Sequence, residues 1–188
     1  MSNVFGVVST VSTIAGTGEE GYCDGQGTAA QFYCPAGVAV DEDGNVIVAD
    51  EGNHRIRKIS PRGLVLTVST LAGTGEAGHI DGDGTVAQFR SPAGVAVDGD
   101  GNVIVADEQN DCIRKISPQG LVSTLAGTGD AGHVDGDGTV AQFSLPGGVA
   151  VDGDGNVVVA DQSNNCIRKI SPQGLVSTLA GTGVPGHQ

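Results

Sequence analysis

Asp81 and Asp83 stand in the phrase DGDG, and Asp135 and Asp137 repeat it one unit later. Carboxylates one residue apart are hard oxygen ligands of the kind Ca²⁺ takes. Just ahead of each pair lies an imidazole, His79 and His133. His187 falls at the same repeat position, which Tyr22 holds in the first unit. Three imidazoles converging on one axis could hold Zn²⁺. A second acidic phrase, DGDGN at 98–102 and 152–156 with DEDGN at 41–45, is close to a calcium loop. It falls short of one, because an EF-hand loop needs Gly sixth and Glu twelfth. Here Gly is fourth, and the twelfth positions are Gln109, Ser163 and Gly52. Hairpin turns account for the same residues, since Asp, Gly and Asn tolerate positive φ. Metal at Asp81, Asp83, Asp135, Asp137, His79 and His133 is therefore the weaker reading. No cofactor is required, and loosely bound Ca²⁺ is the ion left open.

The remaining reactive groups read as structural. Asp50, Asp107 and Asp161 each precede Arg57, Arg114 and Arg168 at a fixed spacing. A carboxylate–guanidinium contact that holds loops is the expected role. Cys112 and Cys166 share a repeat position and read as small buried apolar groups. Cys23 and Cys34 occur only in the first unit and could bridge one loop as a disulfide. Nucleophile motifs, phosphate loops and a deviant acid–base pair are absent. A catalytic constellation also breaks symmetry, whereas these units are almost the same. No catalytic residue is assigned.

The elements that carry these groups are repeated. The segment VSTLAGTG occurs at 68–75, 122–129 and 176–183, and a fourth copy, VSTIAGTG, at 11–18. Every other phrase occurs three times. Within a unit, four Val/Ile-rich runs are separated by Gly, Asp, Asn and Pro, which predicts an antiparallel meander. For the last unit the runs are 146–152, 157–161, 166–170 and 175–179. Consecutive apolar residues in the first two imply strands buried on both faces. Such a sheet repeated every fifty-odd residues is a propeller blade. The recurring Phe32, Phe89 and Phe143 are expected to pack between blades.

The phrase PAGVAVDEDGNVIVADEGNHRIRKI at 35–59, with matching phrases from Pro92 and Pro146, resembles the NHL repeat. The preceding AGTGxAGxxDGxGxxAxF is similar to the long linker of one NHL subgroup. The resemblance covers almost the whole chain. It implies a β-propeller, usually of six blades, whose relatives mostly recognise proteins or RNA and include some enzymes. The expected fold is all-β, an NHL-type β-propeller with three four-stranded blades per chain. The expected division is a leading outer strand with the start of its linker at 1–18, then blades with their linkers at 19–75, 76–129 and 130–188.

Three blades do not close a ring, for which about four are needed. Two copies would close a six-bladed ring about a two-fold axis. Labelling the strands a to d from the axis outward, the chain reads d, abcd, abcd, abcd. The leading strand, near residues 7–15, could add to the last blade of a second copy, in competition with 175–180. Val7, Val8, Val11, Ile14, Leu175, Val176 and Leu179 are the expected assembly residues. A piece of a longer propeller is the other reading.

A net charge of −13 argues against a phosphate-binding surface and hence a nucleic-acid partner. Apolar runs are too short to cross a bilayer, and no secretory leader is visible, so a cytoplasmic or recombinant setting is the default. The expected function is a non-catalytic scaffold that self-assembles and offers loops or a channel to a protein or peptide. The alternatives are a metal-dependent lyase- or lactonase-like enzyme, and a designed or trimmed repeat protein with no evolved ligand.

Overall fold

Turn chemistry and β-branched runs divide each unit into one antiparallel sheet. In the computed structural model, which describes residues 10–62 and 65–186, there are three such sheets. The first has β2 (Pro35–Val40), β3 (Val46–Asp50), β4 (Arg55–Arg62) and β5 (Val65–Ala72) in sequential order. A fifth, two-residue strand, β1 (Gly25–Gln26), pairs with the outer edge of β5. The second sheet repeats this plan with β6 (Gly82–Asp83), β7 (Pro92–Val97), β8 (Val103–Asp107), β9 (Cys112–Ile116) and β10 (Leu121–Ala126). The third has β11 (Gly136–Asp137), β12 (Pro146–Val151), β13 (Val157–Asp161), β14 (Cys166–Ile170) and β15 (Leu175–Ala180). The expected four strands are thus five. The linker ahead of each blade returns to cover its own d strand, which blunts an otherwise bare edge.

The a–b hairpins close on the acidic turns. Asp41 accepts the Asn45 backbone N–H at 2.8 Å, and Asp98 and Asp152 do the same for Asn102 and Asn156. The extra length of the first repeat lies in the c–d hairpin, where Ser60, Pro61 and Arg62 pair with Thr67, Leu66 and Val65.

The blades stack face to face, with β2, β7 and β12 side by side on the inner edge. Two apolar cores fill the spaces between them. One joins Ile47, Ala49 and Ile56 of the first blade to Phe89, Val95, Val103 and Val105. The other joins Ile104, Ala106 and Ile113 to Phe143, Val157 and Val159. Phe89 and Phe143 therefore pack between blades, as expected. The inner strands come so close that a Cβ on Gly37 would run into the Ala93 carbonyl oxygen, and one on Gly94 into that of Gly147.

The same residue types change exposure from blade to blade. Val95 is 6 % exposed where a blade precedes it, but its counterpart Val38 is 66 % exposed. Ile113 is fully buried where a blade follows it, but Ile167 is 38 % exposed. The first and third blades thus present two faces of the kind that meet inside the chain.

Candidate functional site

One arginine in each c strand organises the polar interior. Arg114 is fully buried in β9. Its Nη1 donates to Asp107 at the end of β8 at 2.7 Å, and its Nη2 to Asp81 in the linker at 2.6 Å. It also donates to the Gln88 and Ile80 carbonyls, and its guanidinium carbon lies 5.2 Å from the centre of the Phe89 ring. Arg57 joins Asp50 and Asp24 in the same way, and Arg168 joins Asp161 and Asp135. Asp81 in turn accepts the Thr124 N–H of the d strand at 3.0 Å. Strands b, c and d and the linker of each blade meet at this clamp.

The expected Asp–Arg contact is therefore present, but it is half of the arrangement. The linker aspartates Asp81 and Asp135, weighed as calcium ligands, are its other half. A carboxylate engaged by an arginine and a backbone N–H is poorly placed to serve a cation. Asp83 and Asp137 instead accept the N–H and hydroxyl of Thr85 and Thr139, closing one turn. His79 and His133 lie in different linkers and bond Thr124 and Thr178 through Nε2, at 3.1 and 3.0 Å. His187 lies outside the described residues. Among the described residues no three His, Cys, Asp or Glu side chains gather to hold a metal ion.

Burial acts to raise the pKa of Asp81 and Asp135, but the Thr N–H and Arg contacts outweigh it and hold both below the ordinary carboxylate value. A depressed folded value gives stability that is full above the unfolded value, about pH 4, and is lost as pH falls through the folded one. The melting temperature is therefore expected to change little down to about pH 5 and to drop steeply below about pH 4. Differential scanning calorimetry across that range checks it. An Asp81→Asn/Asp135→Asn double variant should show a shallower acid drop from a lower start.

Cys112 and Cys166 are buried, as expected, and burial pushes the Cys112 thiol pKa far up. Cys23 and Cys34, which could have bridged one loop, are free and exposed. The reason is position. Cys23 precedes β1 at the outer edge of the sheet, whereas Cys34 directly precedes the inner strand β2 in a left-handed turn with φ 49°. The first repeat differs from the others through a matched exchange. Where His79 meets Cys112 at 3.8 Å, Tyr22 stacks on Arg55 at 3.6 Å.

The a–b turns line two repeat-equivalent clefts on one face. Asp41, Glu42 and Asp43 with Asp100 border the first, and Asp98, Asp100, Asp152 and Asp154 the second. Lys58 and Lys115 are the cations at their walls. Both clefts attract positive charge, and neither holds a nucleophile with its base.

The assembly residues divide between the two ends. Leu175, Val176 and Leu179 lie in β15, paired with β14 within their own blade. Val11 and Ile14 are exposed and lie in no strand. Val7 and Val8 lie outside the described residues. What the sequence reading missed is the role of Asp24, Asp81 and Asp135. Their recurrence at a fixed distance before each c-strand arginine was the available signal.

The family model for the NHL repeat matches residues 32–59, 89–116 and 143–170. The chain is similar to NHL repeat-containing protein 2 of Gallus gallus, with 42 % identity over 107 residues covering 55 % of this chain. It is similar to the peptidyl-glycine alpha-amidating monooxygenase of Mus musculus, with 34 % identity over 145 residues covering 73 % of this chain. It spans 14 % of the length of each of these two relatives. Among solved structures, an auxiliary nutrient binding protein of Bacteroides thetaiotaomicron matches with a TM-score of 0.64 and 24 % identity. That match covers 75 % of this chain and 36 % of the other, and it shows the fold alone. With three matched repeats, each folded as one propeller blade, the chain belongs to the NHL-repeat family.

Proposed function

We propose that this chain is a non-catalytic scaffold, two copies of which close a six-bladed ring. The carrying observation is the matched pair of open blade ends. Val38 and Val40 at one end, and Ile167, Leu179 and Ala180 at the other, are exposed counterparts of residues buried or half-buried between blades. Joining the ends of two copies would bury both sets through contacts the chain already makes twice. Apolar faces of this kind mark interaction surfaces. A closed ring would also set the acidic turn clefts of both copies on one face, which favours a cationic peptide or protein electrostatically.

The internal junctions supply the test. His54 Nδ1 accepts the Ser91 N–H at 3.0 Å, and Asp111 Oδ1 accepts the Leu145 N–H at 2.8 Å. In the ring the equivalent pair is Asn165 of one copy and Cys34 of the other. Oxidation of Asn165→Cys in a Cys23→Ser background is expected to give a covalent dimer on a non-reducing gel. Light scattering on the unmodified chain should give about twice 18.7 kDa across a dilution series. A monomer in both experiments would exclude the ring. An Asp111→Cys/Leu145→Cys pair, within one chain, verifies that the geometry permits the bond.

A second reading, an enzyme of lyase type, draws its support from the similarity to a probable peptidyl-alpha-hydroxyglycine alpha-amidating lyase of Caenorhabditis elegans, 29 % identical over 145 residues. A stoichiometric metal retained through native purification, with turnover that depends on it, would favour that reading.

A further inference from the structure

The fourth copy of the d-strand phrase occupies a position that ring closure needs. At each internal junction the end of one d strand is held by the linker of the next blade. Gly73 and Thr74 donate to the Gly84 and Ala87 carbonyls at 2.9 and 3.0 Å, and Gly127 and Thr128 donate to Gly138 and Ala141 at the same distances. Ahead of the first blade, Gly16 and Thr17 make the same two bonds to Gly27 and Ala30, at 2.8 and 3.0 Å. Ala15 packs with Phe32 on the small core of Ala30, Val48, Ile59 and Val68. In a ring, Gly181 and Thr182 of a second copy require those carbonyls. One linker cannot hold both segments.

The two competitors are anchored unequally. β15 is paired on both sides, with β14 and β11. Its Thr178 N–H bonds Asp135 at 2.9 Å, and Val176 is buried. Residues 10–14 lie in no strand, and Val11 is fully exposed. Releasing β15 would break a ladder and a clamp, whereas releasing the leading segment breaks two backbone bonds and one small apolar contact.

Resting on the ring reading above, we propose that residues 15–18 are an internal plug. They hold the docking place on the first blade until Ala180, Gly181 and Thr182 of a second copy displace them. The opposite arrangement, in which the leading segment replaces β15 in the second copy, predicts opposite mutational signs.

The test is the dimer dissociation constant of the full chain and three variants, measured by sedimentation velocity over a dilution series. Ala15→Asp and Gly16→Ala loosen the plug, the latter because seated Gly16 has φ +105°, which strains any side chain. Because a two-fold ring displaces two plugs, each is expected to tighten dimerisation about a hundredfold, the equivalent of two backbone hydrogen bonds at each of two junctions. Ala180→Asp is exposed in the isolated chain and so should fold, but it would bury a carboxylate at the junction. It should weaken dimerisation by about a hundredfold or more. Unchanged or weaker dimers from Ala15→Asp and Gly16→Ala overturn the plug. If Ala180→Asp is also without effect, the leading segment is the exchanged strand. Monomers from all four proteins remove the ring itself.

Discussion

Replacing Arg114 by Met is expected to lower the unfolding free energy by about 3–5 kcal/mol. The side chain is fully buried in the middle blade, and its removal strands Asp107, which is also fully buried, with only the Asn110 amide and the Arg90 N–H for company. Removing one partner of a buried pair leaves an uncompensated charge, which costs more than the pair itself contributes. Asp81 would also lose its guanidinium partner, leaving the linker held to β10 by the Thr124 N–H and the β6 pairing alone. Urea unfolding at constant slope measures the loss. An Arg114→Met/Asp107→Leu double variant should recover a large part of it, because no charge then remains inside. A loss below about 1 kcal/mol in the single variant would show that solvent reaches Asp107.

The second large effect compares two repeat-equivalent aromatics. Phe143→Ala should cost about 3–5 kcal/mol, since the ring is fully buried between the second and third blades. Phe32 holds the same position before the first blade but is only partly buried. Phe32→Ala should therefore cost less than half as much in the monomer. In a closed ring the two positions become equivalent, and the cost reappears as weaker dimerisation. Melting curves at low and high protein concentration separate the two contributions. Equal costs at every concentration would mean that Phe32 is already fully packed in a single chain.

The architecture was legible because its signals are local. The turns DEDGN and DGDGN and the β-branched runs act within a few residues and fold as the pattern predicts, whereas of the repeated Phe residues only Phe89 and Phe143 pack between blades and Phe32 does not. The pairing of Asp107 with Arg114 was legible too, because a b–c hairpin places residues seven apart in neighbouring strands. Asp81 was not, since its partner lies in a strand thirty-three residues away and the linker between has no regular period. A DGDG phrase invites a metal reading when the arginine that claims it is out of view. β1, β6 and β11 were missed for a related reason. Two residues are too few to show alternation, and what fixes them is the d-strand edge they cover. The Cys23–Cys34 bridge needed the two cysteines opposite each other, but in the folded-back linker Cys23 pairs with Gln31, and Cys34 lies three residues further on, just before β2.

The short outer strands also determine where the chain can be cut. Each is donated by the segment that enters its own blade, so a stretch from one AGTG phrase to the next contains an entire sheet with its own edge cover. Inserting or removing whole stretches at that phrase leaves neither a bare strand nor an orphaned clamp. Tandem chains of four, five or six such stretches should therefore fold blade by blade, and the number of blades becomes a matter of gene length alone.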